Sequence, residues 1–151
     1  MKYTILILLI FFWMTPTLKA DVESWTLEQI GFLNIDRNEK DYGGFSGLVI
    51  QDDGSEALIL TDKSFFFVLK LKRNDDDFLT GYSLIRKGRI LSSKGEHLNG
   101  RNTDSESIVI DENNNYYISF ESNHRIMMHT KVEGAGVFIP KHPMFRKLSV
   151  N

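Results

Sequence analysis

Beyond residue 20 the hydrophobic positions fall into short runs separated by polar, turn-prone clusters, and no stretch sustains a helical period. Trp25 to Ile35 reads as a first strand, with Ile30, Phe32 and Ile35 toward its inner face. Asp36 to Tyr42 is charged and loop-like. Gly43-Gly44 then opens a strand over Phe45 to Ile50, and Asp52-Asp53-Gly54-Ser55 supplies tight-turn chemistry. Ala57 to Thr61 is short and almost continuously apolar, as in a strand covered on both faces. Ser64 to Lys72 is the next strand, Asn74 to Asp77 an acidic turn, and Phe78 to Ile90 a strand that Arg86, Lys87 and Arg89 suit to a sheet edge. Lys94 to Thr103 reads as a loop. Ile108 to Ile110, Tyr116 to Glu121 and Arg125 to His129 are further strands, separated by Asp111 to Asn115 and by Ser122-Asn123. Past Val132, Gly134, Gly136, Pro140 and Pro143 weaken any regular pattern. The expected architecture is all-β, a meander of antiparallel strands.

Two stretches of this meander resemble each other. Phe45 to Gly54 leads into Leu58 to Asp62, and Ser105 to Asn114 leads into Tyr117 to Glu121. Ser46 and Glu106 are 60 positions apart, and Asp62 and Glu121 are 59 apart. Each copy is a strand, an acidic turn, a second strand ending in a carboxylate, and a third strand. Hairpins in general share the first three features; the shared terminal acid is what marks a repeat. A four-stranded antiparallel sheet repeated radially is a propeller blade, and the 131 residues beyond residue 20 supply about two to three such blades.

Residues 1–20 have a different pattern. Lys2 precedes an unbroken apolar run, Thr4 to Met14, which Pro16 breaks, and Ala20 is a small residue before Asp21. This is the layout of a cleavable secretory signal, although Leu18 is larger than the usual residue near the cut. The run is short against the roughly 20 apolar residues of a membrane span, so no stable membrane anchor is expected after cleavage. The expected domains are thus a signal peptide over 1–20 and one β domain over 21–151, in a periplasmic or secreted protein. The chain has 18 basic and 20 acidic residues; losing Lys2 and Lys19 leaves 16 against 20, a net charge of -4. An acidic exported domain is a poor match for nucleic acid. There is no cysteine, which excludes disulfides and thiolate metal sites.

Four motifs in order carry a resemblance. They are Gly43-Gly44-Phe45-Ser46-Gly47-Leu48, then Leu60-Thr61-Asp62-Lys63, then Asp104-Ser105-Glu106-Ser107-Ile108, and last Ser119-Phe120-Glu121 with His124-Arg125-Ile126. In type, order and spacing the chain resembles the esterase-like phytase family of exported β-propellers over roughly residues 43 to 130. Lys63 stands where that family usually has Arg, and Ser105 and Ser107 replace Ala and Gly around Glu106. A complete member needs roughly twice this chain, and the family's later motifs are absent. The resemblance therefore implies a partial, open β-propeller.

In a propeller the innermost strands line the central channel and ligands bind at its mouth. On that plan Asp104 and Glu106 open an inner strand and Asp62 and Glu121 end the strands next to the inner ones, and such carboxylates suit a hard cation such as Ca²⁺. The cation would offset the charge of a phosphate substrate. Lys63 and Arg125 are candidates to hold phosphate oxygens. Glu106, His124 and Ser46 are the candidate catalytic residues. Neither His124 nor Ser46 has a partner identifiable in sequence, and Ser46 does not sit in a G-x-S-x-G elbow. Asp62, Glu121 and Arg125 are equally consistent with ion pairs at strand ends.

The expected function is an exported, truncated hydrolase of phosphate or simple esters, with little turnover from this chain alone. The alternative is a non-catalytic propeller fragment, acting as a binding module or surviving as a decayed gene product. Open sheet edges imply self-association in either case.

Overall fold

The computed structural model describes residues 24–29, 31–35 and 41–143. Residues 1–23 (the expected signal peptide among them), Ile30, residues 36–40 and residues 144–151 lie outside it. The described residues form two four-stranded antiparallel sheets and no α-helix. The first sheet holds β1 (Phe45–Ile50), β2 (Glu56–Thr61), β3 (Phe65–Arg73) and β4 (Leu79–Arg89), hydrogen-bonded in chain order. The second holds β5 (Ser105–Ile110), β6 (Tyr116–Phe120), β7 (Arg125–His129) and β8 (Val137–Phe138), again in chain order. Each sheet is a four-stranded meander, and together they form an open, propeller-like pair of blades.

The acidic turns expected from the pattern separate the strands. Asp53 accepts the amide of Ser55 at 2.9 Å, and Asp111 accepts the amides of Asn113 and Asn115 at 2.9 and 2.8 Å. Carboxylates that cap their own turn in this way draw the backbone out of a strand. The continuous apolar run of β2 is buried from Ala57 through Thr61, because β1 and β3 flank it and both of its faces are covered. β4 lies at the sheet edge, as its charged residues imply.

Two expectations are corrected, and a third holds. The first strand, Trp25 to Ile35, is absent: its described residues are irregular, and Trp25, Leu27 and Phe32 are exposed. No neighbouring strand satisfies that backbone, and an unpaired strand does not persist in water. Among its described residues only Ile35 reaches a core, packing with Tyr42 against Ile59, Phe67 and Leu69 on the outer face of the first blade. The stretch from Lys94 to Thr103 is a loop as expected, with one 3₁₀ turn, Gly100–Asn102, and His97 bridged to Leu91 just before it. The weakly patterned tail supplies β8, which completes the second blade.

The main core lies between the blades. Leu58, Leu60, Phe66 and Val68 of the first meet Ile108, Ile118, Phe120 and Met127 of the second. Gly47 is where the inner strands touch: a Cβ there would stand 3.0 Å from Ile108 Cγ2 and 3.1 Å from its backbone nitrogen. Beside this contact runs a buried seam of hydroxyls. Ser105 Oγ donates to the Thr61 carbonyl at 2.6 Å, Ser64 Oγ donates to the Thr103 carbonyl, and the two serine oxygens are 3.3 Å apart. Ser105, where the resembled family carries Ala, thus ties one blade to the other. Arg86 and Glu133 add a second tie, an ion pair at 2.9 Å on the rim.

Candidate functional site

The repeat seen in sequence is a repeat of backbone irregularity. In the first blade the β1–β2 register slips between Phe45 and Gly47, leaving Ser46 as the extra residue. In the second the β5–β6 register slips between Ser105 and Ser107, leaving Glu106. Each bulge is followed by the same closing hydrogen bond: Asp62 N donates to Gly44 O at 2.8 Å, and Glu121 N donates to Asp104 O at 2.9 Å. Bulges bend a strand and re-aim a side chain. Here they bring Ser46 and Glu106, with the strand-terminal acids Asp62 and Glu121, to the same end of the two inner strand pairs.

At that end of the second blade Asp104, Glu106 and Glu121 converge, each offering a carboxylate oxygen within 4.8 Å of the other two. Asp104 is fixed first. Ser122 donates to it from its amide at 3.2 Å and from its hydroxyl, and these bonds hold the Asp104 carboxyl below the usual carboxylate range. Glu106 moves the other way. Partial desolvation raises its pKa, and the charges of Glu121, Asp104 and Asp62 and a hydrogen bond with Asp104 push in the same direction. Two adjacent carboxyls whose surroundings drive their pKa values apart are suited to sharing a proton.

In the first blade the corresponding end is more covered, with Ser46 and Asp62 half-buried where Glu106 and Glu121 are exposed. Gly44 has φ +62°, and a Cβ there would fall 2.2 Å from Asp62 Oδ1, so glycine is required both for the turn and for the carboxylate above it. Asp62 Oδ1 and Ser46 Oγ are buried with no hydrogen-bond partner among the described residues.

The other sequence candidates take separate places. Lys63 is exposed in the β2–β3 turn, and His124 is exposed in the β6–β7 turn. Arg125 is half-buried: its guanidinium stacks 3.6 Å from the Phe120 ring centroid and donates to the carbonyls of Asn123, at 2.9 Å, and Asn102. Burial lowers its pKa from the usual guanidinium value. Arg125 therefore holds the 3₁₀ turn against the β6–β7 turn. Arg101, donating to Ser122 O at 3.1 Å, and Asn123, donating to Asn102 Oδ1 at 2.8 Å, complete the clamp. Sequence reading missed Asn102, Ser122 and Asn123, because each acts across about twenty positions of chain from an unremarkable polar loop.

The cluster fits a hard cation. Calcium–oxygen distances of about 2.3–2.6 Å allow ligand oxygens up to roughly 5 Å apart around one ion, and the observed spread lies within that limit. A cation would also relieve the crowding of negative charge that raises the Glu106 pKa. A separate groove of 630 Å³ runs between the turns at the other end of the inner strands, lined by Asp52, Asp53, Asp111 and Glu112 among others. It does not include the cluster. No helix among the described residues is long and apolar enough to cross a membrane.

Residues 40–145 match the family model Phytase-like, described as esterase-like activity of phytase. Comparison with curated proteins and with solved structures gives no match. The matched span contains both blades, both bulges and every carboxylate of the cluster.

Proposed function

The chain belongs to the phytase-like family, and from that premise we propose that it is an exported hydrolase of phosphate esters that holds Ca²⁺ at Asp104, Glu106 and Glu121. The observation that carries this reading is the convergence of those three carboxylates at a bulge, with the pKa of Glu106 raised by desolvation and by the charge of its neighbours. The signal-like pattern of residues 1–20 supports export.

Each residue then has a task. Asp104, kept ionised by Ser122, is the anchoring ligand. Glu121 closes the cluster from the end of β6, and Asp62 contributes charge from the neighbouring blade. When bound, the cation would offset phosphate charge and polarise the phosphorus–oxygen bond. Glu106 holds a proton most readily while the cation is absent, and would give it up to become a ligand when the cation binds. Lys63, exposed beside Asp62, is available to a phosphate oxygen. Arg125 contributes by rigidity, since its bonds go to backbone carbonyls.

The test is hydrolysis of a chromogenic phosphate monoester and a chromogenic acyl ester, with Ca²⁺ and with a chelator. The reading expects turnover of the phosphate ester that is weak for this chain alone, requires Ca²⁺ and disappears in Glu106→Gln. Ca²⁺-independent cleavage of the acyl ester alone would replace phosphate with simple esters. Ca²⁺ binding with no turnover of either would leave a binding module.

A further inference from the structure

The repeat also identifies which face of one blade packs against which face of the next. In the first blade Gly47 and Val49 point into the inter-blade core, while Leu48 and Ile50 point away from it. In the second blade the equivalent positions are inverted. Ile108 and Ile110, 60 beyond Leu48 and Ile50, face the core, and Ser107 and Val109, 60 beyond Gly47 and Val49, face outward. The contact inside the chain is therefore heterologous, joining two different kinds of face. Among the described residues one face of each kind remains, one on either side of the pair.

Both remaining faces are apolar; the one on the second blade is open, and the one on the first blade is covered in its middle and open along β1. On the first blade the register aligns Ile50, Ala57, Leu69 and Leu84 in one row. Ile35 and Tyr42 pack over the middle of that face, against Phe67, and beside them Leu48 stays 59% exposed and Ile50 47% exposed. On the second blade the register aligns Val109, Tyr117, Met128 and Val137, next to Ile126. Val109 is 53% exposed and Val137 58%. No charged side chain interrupts either row.

We propose that these two faces bind one another between copies of this chain, head to tail, reproducing the contact the two blades already make within it. The occupant is a second copy because the complementary face is on the same molecule, one repeat away. A heterologous contact closes into a ring where its rotation permits and otherwise runs on as a filament. Propellers close with about four to eight blades, so roughly two to four copies would complete one. The inter-copy contact is the looser of the two. Ser107 holds the position of Gly47, whose missing Cβ lets Ile108 approach, so a hydroxymethyl group keeps the copies further apart. Association is accordingly concentration-dependent.

The test is sedimentation velocity on the full chain over a concentration series, with circular dichroism to check folding. Average mass is expected to rise with concentration, and Ser107→Gly to move that rise to lower concentration. Leu48→Lys and Val109→Lys are each expected to return the protein to single-chain mass. An equal mixture of the two is expected to form pairs and nothing larger, because each retains the face the other has lost. Where Leu48→Lys disturbs folding, Ile50→Lys removes the same face. A wild-type chain that stays single throughout would overturn the proposal. So would loss of association in only one of the two lysine variants, which indicates a symmetric contact, or a mixture that remains single. A chelator is expected to leave the series unchanged, which separates this proposal from the cation site.

Discussion

The two blades share one backbone plan and differ in what they carry at one end of it. Both have a bulge at the second residue of the inner strand, and both close it with an amide from the end of the second strand. At that end the first blade carries Gly44, Ser46 and Asp62. The second carries Asp104, Glu106 and Glu121. The same frame thus presents one carboxylate in one blade and three in the other. The difference teaches that frame and charge are separable: hydrogen bonds that build the bulge use backbone atoms, leaving the side chains free to differ.

The largest effect expected is on the frame. Ile118 is fully buried in the core that both blades share. Ile118→Ala is expected to cost about 2–5 kcal/mol, measured by urea unfolding, and to lower both blades in one transition. Separate transitions would show that the blades are independent.

Next is the closest approach between them. Gly47→Val places side-chain atoms against Ile108 and is expected to cost about 1–3 kcal/mol as overpacking. The equivalent change in the second blade, Ser107→Val, points outward and is expected to cost under about 0.5 kcal/mol. Equal costs would contradict the inverted faces of the two blades. Ser105→Ala removes the bond to the Thr61 carbonyl and is expected to cost about 1–2 kcal/mol by leaving that acceptor buried.

The smallest effects concern charge, and their signs are opposed. The pKa of Glu106 is raised in the folded chain above its ordinary 4.5. Its contribution to stability is present below the unfolded value and is lost as pH rises through the raised folded value. Asp104 is shifted down from 3.8. Its contribution is present above the unfolded value and is lost as pH falls through the folded one. In melts across acidic to neutral pH without Ca²⁺, Glu106→Gln is expected to remove the loss on the alkaline side. Asp104→Asn should remove the loss on the acid side. Solvent screening keeps the Glu106 effect below about 1 kcal/mol. Asp62→Asn, in the first blade, should alter the profile least.

Much of the frame was legible in the chain. The acidic turns, the doubly covered strand at Ala57 to Thr61 and the repeat itself come from local chemistry, and local chemistry is what sequence patterning reports. The Trp25 to Ile35 segment failed because apolar residues predict burial only where a partner strand exists. β8 failed for the converse reason, since pairing with β7 makes a strand of two residues that have no strand pattern of their own. In the site, the carboxylates were readable from the repeat. The clamp was not, because Arg125 to Asn102 and Ser122 to Asp104 are bonds between loops. Arg125 itself, a reasonable phosphate ligand by type, is drawn to carbonyls and to Phe120 by its position at the end of β7.

The most direct test of the account is a Ca²⁺ titration followed by thermal melting of the wild-type chain, Glu106→Gln and Asp62→Asn. A ligand at one hundred times its Kd stabilises the folded state by about 2.7 kcal/mol. The account predicts a saturable rise in melting temperature for the wild type, its loss in Glu106→Gln, and its retention at reduced affinity in Asp62→Asn. A wild-type chain whose melting temperature does not respond to Ca²⁺, or a response that survives in Glu106→Gln, would contradict it.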